Sequence, residues 1–124
     1  MPAARKAPLI LGLIAAVALA ASSPSASEPG CSLVETHRVA APDGRFDLVV
    51  GARECGPNDI SLEAFLVAPG EAITSRSESF AAIGKDAGLE PRWDAQGRIE
   101  LTLPPDSEIY ELAETVAGIE VIYR

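Results

Sequence analysis

The chain has 124 residues with 18 acidic and 10 basic side chains, one histidine and two cysteines, and its formal net charge at pH 7 is −8. Nucleic acid and anionic lipid are therefore poor partners, because both are negatively charged. Two cysteines and one histidine cannot fill a four-ligand metal site without further donors, and the chain has no C-x-x-C pair. The composition thus disfavours nucleic-acid binding, thiol redox chemistry and a zinc site.

The N-terminal segment has the composition of an export signal. Arg5 and Lys6 form a basic start, and residues 9–21 form an apolar core before a short stretch of small polar residues. As a helix, this core rises about 20 Å, which is short of the roughly 30 Å of hydrocarbon in a bilayer. We therefore predict cleavage between residues 20 and 26, no membrane anchor afterwards, and an exported protein that is periplasmic or secreted.

A lipid anchor on Cys31 is the competing interpretation of this segment. Glu28-Pro29-Gly30 lacks the aliphatic residue that lipoprotein signals place before the cysteine, so release is favoured. Removing residues 1–26 leaves 98 residues, 27–124, with 8 basic and 18 acidic side chains and a net charge of −10. This length predicts a single small domain. The main interpretation of this charge is that it keeps the protein soluble. The weaker interpretation is that it attracts a basic protein or a cation as partner.

Turn signals and β-rich runs alternate along residues 27–124 at intervals of about eight to twelve residues, which is typical of an all-β domain. We predict a small antiparallel sheet or sandwich built from hairpins. Pro42-Asp43-Gly44 suits a three-residue hairpin loop with a left-handed glycine. With Ala41 opposite Arg45, the predicted pairs are Val34 with Ala52, Thr36 with Val50, Arg38 with Leu48 and Ala40 with Phe46.

The same register places Cys31 opposite Cys55. Directly opposed positions in an antiparallel pair lie at Cα separations that a disulfide can span. An oxidising compartment favours such a bridge. In the chain-entropy account, closing a loop of this length contributes about 3.5 kcal/mol to stability. We therefore predict a structural disulfide between Cys31 and Cys55.

Ala95-Gln96-Gly97 predicts a second hairpin of the same type. Its predicted pairs on one apolar face are Trp93 with Ile99, Pro91 with Leu101 and Leu89 with Leu103. Its other face carries the opposite-charge pairs Asp94 with Arg98 and Arg92 with Glu100. We interpret Trp93, the only tryptophan, as a core anchor, with ligand stacking as the weaker alternative.

The remaining segments have less regular patterns. As a strand, residues 60–68 would carry apolar side chains on both faces, which predicts a position near the middle of a sheet. Residues 71–88 are interpreted as a loop with a short strand at 80–83. In residues 107–116 the apolar spacing fits a short helix, which competes with an irregular strand. Residues 118–123 alternate as a terminal strand.

Several short motifs resemble the pattern of a group of small exported bacterial proteins classed as a domain of unknown function. The motifs are Ala41-Pro42-Asp43-Gly44-Arg45, Cys55-Gly56, Trp93 before a short strand, and Gly118-Ile119-Glu120-Val121-Ile122-Tyr123. In that pattern a cysteine precedes an S-P-D-G-type turn, a C-G follows, and the last strand reads G-[IV]-x-[VI]-x-Y. Ala41 departs from the preferred serine, and the central segment of the pattern, G-N-[VI]-F, has no match. The resemblance implies an exported, cysteine-containing, strand-rich module and no chemistry.

The residues select no catalytic, metal or cofactor site. His37 lies across from Val49 in the predicted register, whereas Ser32 and Thr36 point to the other face, which disfavours a catalytic triad. Residues 43–47 lack the residue order of a calcium loop. We therefore predict a non-enzymatic exported module that binds a protein or envelope component through an acidic surface. The alternative is a small carboxylate-dependent hydrolase of the cell envelope, although no pattern selects two of the eighteen carboxylates.

Overall fold

The computed structural model describes residues 31–84 and 88–124. The predicted signal segment, residues 1–26, lies outside these ranges. The described residues form β-strands and contain no helix that could cross a membrane. In chain order the strands are β1 (Ser32–Ala40), β2 (Asp47–Glu54), β3 (Ile60–Val67), β4 (Ala81–Gly84), β5 (Glu90–Trp93), β6 (Ile99–Thr102), β7 (Ile109–Leu112), β8 (Thr115–Val116) and β9 (Ile119–Tyr123).

The strands form two sheets. The first sheet has the order β1-β2-β3-β4-β7, and all of its neighbours are antiparallel. The second sheet has the order β5-β6-β9-β8. Within it β9 runs parallel to β6, with Val121 opposite Ile99, whereas its other neighbours are antiparallel. The prediction of an all-β domain is confirmed, with one parallel pairing that the hairpin patterns did not indicate.

Apolar residues of both sheets meet in one buried cluster, which makes the domain a sandwich. Its members are Leu48, Val50, Leu62, Ala64, Phe80, Ala81, Ile83, Leu89, Ile99, Leu101 and Val121. Fully burying a large aliphatic or aromatic side chain contributes roughly 1.5 to 3 kcal/mol. This shared core is therefore what holds the two sheets together.

The first hairpin differs from its prediction at the turn. The backbone N–H of Ala41 donates to the carbonyl of Phe46 at 2.9 Å, so the loop has four residues, 42–45, instead of three. Gly44 adopts a φ of 75°, which confirms the left-handed glycine. Thr36 is an extra residue in β1, because Glu35 pairs with Gly51 and His37 pairs with Val50. This β-bulge absorbs the extra loop residue.

The bulge divides the predicted register into a correct and an incorrect half. On the side of the bulge away from the turn, Val34 pairs with Ala52 as predicted. Between the bulge and the turn the predictions are wrong by one residue: Arg38 pairs with Val49 and Ala40 with Asp47. Because side chains alternate along a strand, Arg38 lies on the face of the sheet away from the shared core. The disulfide between Cys31 and Cys55 lies at the correctly predicted end and is confirmed.

The second hairpin has the predicted register over β5 and β6. Pro91 pairs with Leu101, Arg92 with Glu100, and Trp93 with Ile99. The backbone N–H of Asp94 donates to the carbonyl of Arg98 at 2.9 Å, which closes the three-residue loop. No bulge intervenes, so the local turn alone determines the pairing of both strands.

The predicted central strand is confirmed, because β3 lies between β2 and β4. Phe65 is fully buried on the face away from the shared core. Residues 70–75 cover this face and are held there by arginines of the first sheet. Arg38 Nη2 donates to the carbonyl of Glu71 at 2.9 Å, and Arg53 Nη1 donates to the carbonyl of Ser75 at 3.3 Å. The sheet is therefore buried on both faces at its centre.

The two ambiguous segments each contain described strands. The predicted short strand at 80–83 is β4, which begins at Ala81. The short helix considered for residues 107–116 is wrong, because β7 and β8 occupy this segment. Tyr110 is an extra residue of β7 opposite β4, since Ala82 pairs with Glu111 and Ile83 with Ile109. This bulge disturbs the period-2 alternation, which explains the helix-like spacing.

Candidate binding grooves

Two grooves lie at opposite ends of the first sheet. One adjoins the loop before β2 and the other the loop after β2. Eight residues of extended chain separate these loops, and at the usual strand rise they span about 26 Å. Each groove must therefore be considered separately.

The first groove lies between the two hairpin loops, and we call it the turn groove. It has a volume of about 380 Å³, within the range of roughly 300 to 1,000 Å³ that is usual for small-ligand sites. The side chains that define its chemistry are Asp43, Arg45, Phe46, Trp93, Gln96 and Ile119. The sequence revealed both loops as turns, but not that they meet.

Hydrogen bonds hold the walls of the turn groove in place. The indole Nε1–H of Trp93 donates to the carbonyl of Val39 at 3.0 Å. Oδ1 of Asp94 accepts the backbone N–H groups of Gln96 and Arg98 at 2.9 and 2.8 Å. On the opposite loop, Oδ1 of Asp43 accepts the backbone N–H of Arg45 at 3.0 Å. Both loops are therefore supported by hydrogen bonds within the domain.

The second groove lies beside the loop that follows β2, and we call it the acidic groove. Its volume is about 430 Å³, and its lining residues are Pro57, Asn58, Ile60, Gly84, Asp106, Glu108 and Tyr110. Among these described residues there is no arginine or lysine. Cys55 supports the adjacent loop, because its backbone N–H donates to the carbonyl of Asp59 at 2.9 Å. This hydrogen bond closes the loop that carries Pro57 and Asn58.

Tyr110 shows the electrostatic character of the acidic groove. Its side chain is exposed because it is the bulge residue of β7, and its hydroxyl donates to Oε1 of Glu108 at 3.0 Å. The hydrogen bond to Glu108, partial desolvation of the hydroxyl group, and the negative charges of Glu108 and Asp59 raise the pKa of Tyr110. The described lining of the groove therefore combines an aromatic ring with carboxylates and no basic side chain.

The buried carboxylates differ from those of the acidic groove, because each buried carboxylate contacts an arginine. The pairs are Asp47 with Arg38, Glu63 with Arg53, Asp94 with Arg98, and Glu100 with Arg92 and Arg124. The backbone N–H of Gly70 and the guanidinium of Arg38 hold the pKa of Asp47 below its ordinary value. Burial raises the pKa of Asp94, but hydrogen bonds from Arg98 and from the backbone N–H of Gln96 have the larger opposite effect. The pKa of Asp94 is therefore also lowered. Asp47 and Asp94 thus remain charged near neutral pH. The ion pairs of all four carboxylates fasten the fold.

The remaining candidate residues are not assembled into a site. The bulge places His37 opposite Val50, not Val49 as predicted, and its side chain is exposed. The hydroxyl of Thr36 contacts Nδ1 of His37 at 3.2 Å and donates to the carbonyl of Val50 at 3.1 Å. Within residues 31–84 and 88–124, no group of three or more His, Cys, Asp or Glu side chains could hold a metal ion.

The exposed strand edges carry features that discourage the addition of another strand. Thr36 bulges out of edge strand β1, and Tyr110 out of edge strand β7. In the second sheet, edge strand β5 contains Pro91, and β8 has two residues only. These described edges therefore disfavour binding by the addition of another strand.

No family model matches the chain, and no curated protein or solved structure is significantly similar to it. The resemblance to small exported bacterial proteins therefore stays a prediction. The residues of the acidic groove were missed by sequence reasoning, because Asp106, Glu108 and Tyr110 fall in and beside the segment whose secondary structure was ambiguous.

Proposed function

We propose that this protein is a non-enzymatic exported module that binds a basic segment of a partner protein or envelope component through the acidic groove. Export is supported by the Cys31–Cys55 disulfide, because such bonds persist in oxidising compartments. A net charge of −8 supports a cationic partner through long-range attraction.

One contrast carries the proposal. The four buried carboxylates of the described residues contact arginines, whereas the described lining of the acidic groove provides Asp106 and Glu108 and no basic side chain. Negative charge that has no basic counterpart in the described lining is available to a partner. A lysine or arginine side chain would find carboxylates for charge-assisted hydrogen bonds and the ring of Tyr110 for a cation–π contact.

The alternative of a carboxylate-dependent hydrolase has less support. A general acid at neutral pH needs a carboxyl group whose pKa is raised toward 7. The pKa values of Glu35, Asp47 and Asp94 are instead lowered, Glu35 chiefly by its hydrogen bond from Arg38. We therefore retain binding as the proposed function.

The test compares two variants of equal net charge. D106N/E108Q neutralises the acidic groove, whereas E78Q/E90Q neutralises two exposed carboxylates that do not line it. The probe is a fluorescein-labelled oligolysine peptide, with binding measured by anisotropy over a range of NaCl concentrations. We expect D106N/E108Q to weaken binding about tenfold, the loss of roughly 1.4 kcal/mol, and E78Q/E90Q to bind like the wild type. Affinity should fall steeply with salt, since charges more than about 8 Å apart are screened at physiological ionic strength.

Two results would contradict the proposal. Equal weakening by both variants would mean that the peptide responds to overall charge and not to the groove. A hydrolytic activity of the isolated domain that a single Asp→Asn or Glu→Gln change abolishes would replace binding with the carboxylate enzyme. If the wild type binds the probe as expected, capture from an envelope extract at low salt with a salt-step elution would then identify the natural partner.

A further inference from the structure

The turn groove has no part in the proposed function, because the length of β2 separates it from the acidic groove. We propose that the turn groove is a second binding site, and that its ligand is an uncharged saccharide. Its aromatic floor, its polar rim and its balance of charge each point to this class of ligand.

The floor of the turn groove offers apolar surface without a hydrogen-bond donor. Trp93 and Phe46 both line the groove and are partly exposed. The indole N–H of Trp93 is already bonded to the carbonyl of Val39, so the indole presents only its ring to a ligand. That bond also fixes the orientation of the ring, so a ligand does not have to order it. Such a floor suits the C–H face of a sugar ring.

The rim carries planar polar groups that are not fully engaged. The side chains of Asp43 and Arg45 are 57% and 68% exposed, and their closest charged atoms are 3.6 Å apart. The guanidinium of Arg45 lies 5.3 Å from the centroid of the Phe46 ring. Oε1 of Gln96 accepts only a long hydrogen bond, 3.4 Å, from Arg98. Carboxylate, guanidinium and amide groups can bond two adjacent hydroxyls at once, as donors or as acceptors.

The charge of the rim favours a neutral ligand. Asp43 and Arg45 carry opposite charges, so the rim attracts neither cations nor anions strongly. A wholly apolar ligand would remove water from these polar groups without replacing their hydrogen bonds, which is unfavourable. A saccharide meets both requirements, because one face of its ring is apolar and its edge carries hydroxyl groups.

The single tryptophan makes this site directly observable. Because Trp93 is the only tryptophan, its fluorescence emission reports on the turn groove alone. The probes are the β-1,4-linked tetrasaccharides of N-acetylglucosamine and of glucose, titrated into the full chain. We expect a saturable change in emission with at least one of them. A difference between the two probes would show whether an acetamido group contributes.

Matched variants locate the binding. R45A and Q96A each remove exposed hydrogen-bonding groups from the rim. Each variant should weaken saccharide binding about threefold to tenfold, which is the change in affinity expected from the loss of one hydrogen bond. R92A is the control, because Arg92 is 67% exposed on the same hairpin but does not line the groove, and it should bind like the wild type. D106N/E108Q should also bind saccharide normally, which separates this site from the acidic groove.

Three results would overturn the inference. They are the absence of a saturable emission change with either tetrasaccharide up to its solubility limit, unchanged affinity in both R45A and Q96A, or tighter binding of a proline-rich peptide than of either saccharide. The last result would assign the aromatic floor to an extended peptide instead. None of these results bears on the oligolysine experiment, so the two proposals stand or fall separately.

Discussion

The indole N–H of Trp93, in the second sheet, donates a hydrogen bond to the backbone carbonyl of Val39, in the first sheet, at 3.0 Å. This bond crosses between the two hairpins at their loop ends, beside the turn groove. Trp93 therefore packs against the shared core and also positions one wall of a candidate site. The sequence predicted the first role and left the second as a weaker alternative.

Trp93 is expected to contribute to stability in two separable ways. W93F retains an aromatic ring but leaves the Val39 carbonyl without its donor, so it should destabilise the domain by about 1 kcal/mol. W93A also removes the packing against the core and should cost about 3 kcal/mol or more. Urea unfolding followed by far-UV circular dichroism measures both, with Y110F, at an exposed tyrosine, as the control. An unchanged midpoint for W93A would show that the side chain does not anchor the core.

The disulfide is expected to stabilise the domain. Cys31 and Cys55 are separated by 24 positions in the sequence, and in the chain-entropy account the bond contributes about 3.5 kcal/mol. The C31S/C55S double variant should lose about that much free energy of unfolding, and dithiothreitol should lower the wild type to the same stability. Thiol titration of denatured, periplasm-purified protein should find no free cysteine. Two free thiols would contradict both the bridge and the proposed compartment.

Asp47 is expected to make stability depend on pH in the acidic range. Its pKa is lowered in the folded state by the N–H of Gly70 and by Arg38. A lowered carboxyl pKa gives stability that is fully present above the unfolded-state pKa of about 3.9 and is lost as pH falls through the folded-state pKa. Urea midpoints between pH 7 and pH 2 should therefore decline below about pH 4.

D47N tests this assignment, because it removes the titrating group. Its midpoint should be lower than that of the wild type at neutral pH and should change less with acidification. D43N is the matched control, since the side chain of Asp43 is more than half exposed, and its pH profile should follow the wild type. If D47N and the wild type decline in parallel, the acid sensitivity arises at other carboxylates, such as Asp94.

Gly44 is expected to be required for its backbone conformation alone. Its φ is 75°, and a Cβ built at this position would meet no atom within 4 Å. G44A should therefore destabilise the domain by about 1 to 2 kcal/mol through backbone strain, and G44N by less, because asparagine tolerates the left-handed region. Thermal unfolding distinguishes the three proteins. Equal midpoints for G44A and G44N would show that strain at this residue is not the cause.

The sequence by itself determined the elements whose pairing depends on a local turn. The register of the second hairpin follows from the loop at Ala95-Gln96-Gly97, because its strands are adjacent in the sequence and contain no irregularity. In the first hairpin the register was predictable only on the side of the bulge away from the turn. There the insertion of Thr36 compensates for a loop that is one residue longer than expected. The Cys31–Cys55 bond lies on the side of the bulge where the predicted register is correct, which is why the structure confirms its prediction.

Only the tertiary structure decided the contacts between residues that are distant in the sequence. The parallel pairing of β9 with β6, the division into two sheets and the contact of Arg124 with Glu100 all depend on packing against the shared core. The same is true of both grooves. Turn chemistry is local and can be read from a few residues, whereas the meeting of the loops around Gly44 and Gly97 depends on how the two sheets stack, which no local pattern encodes.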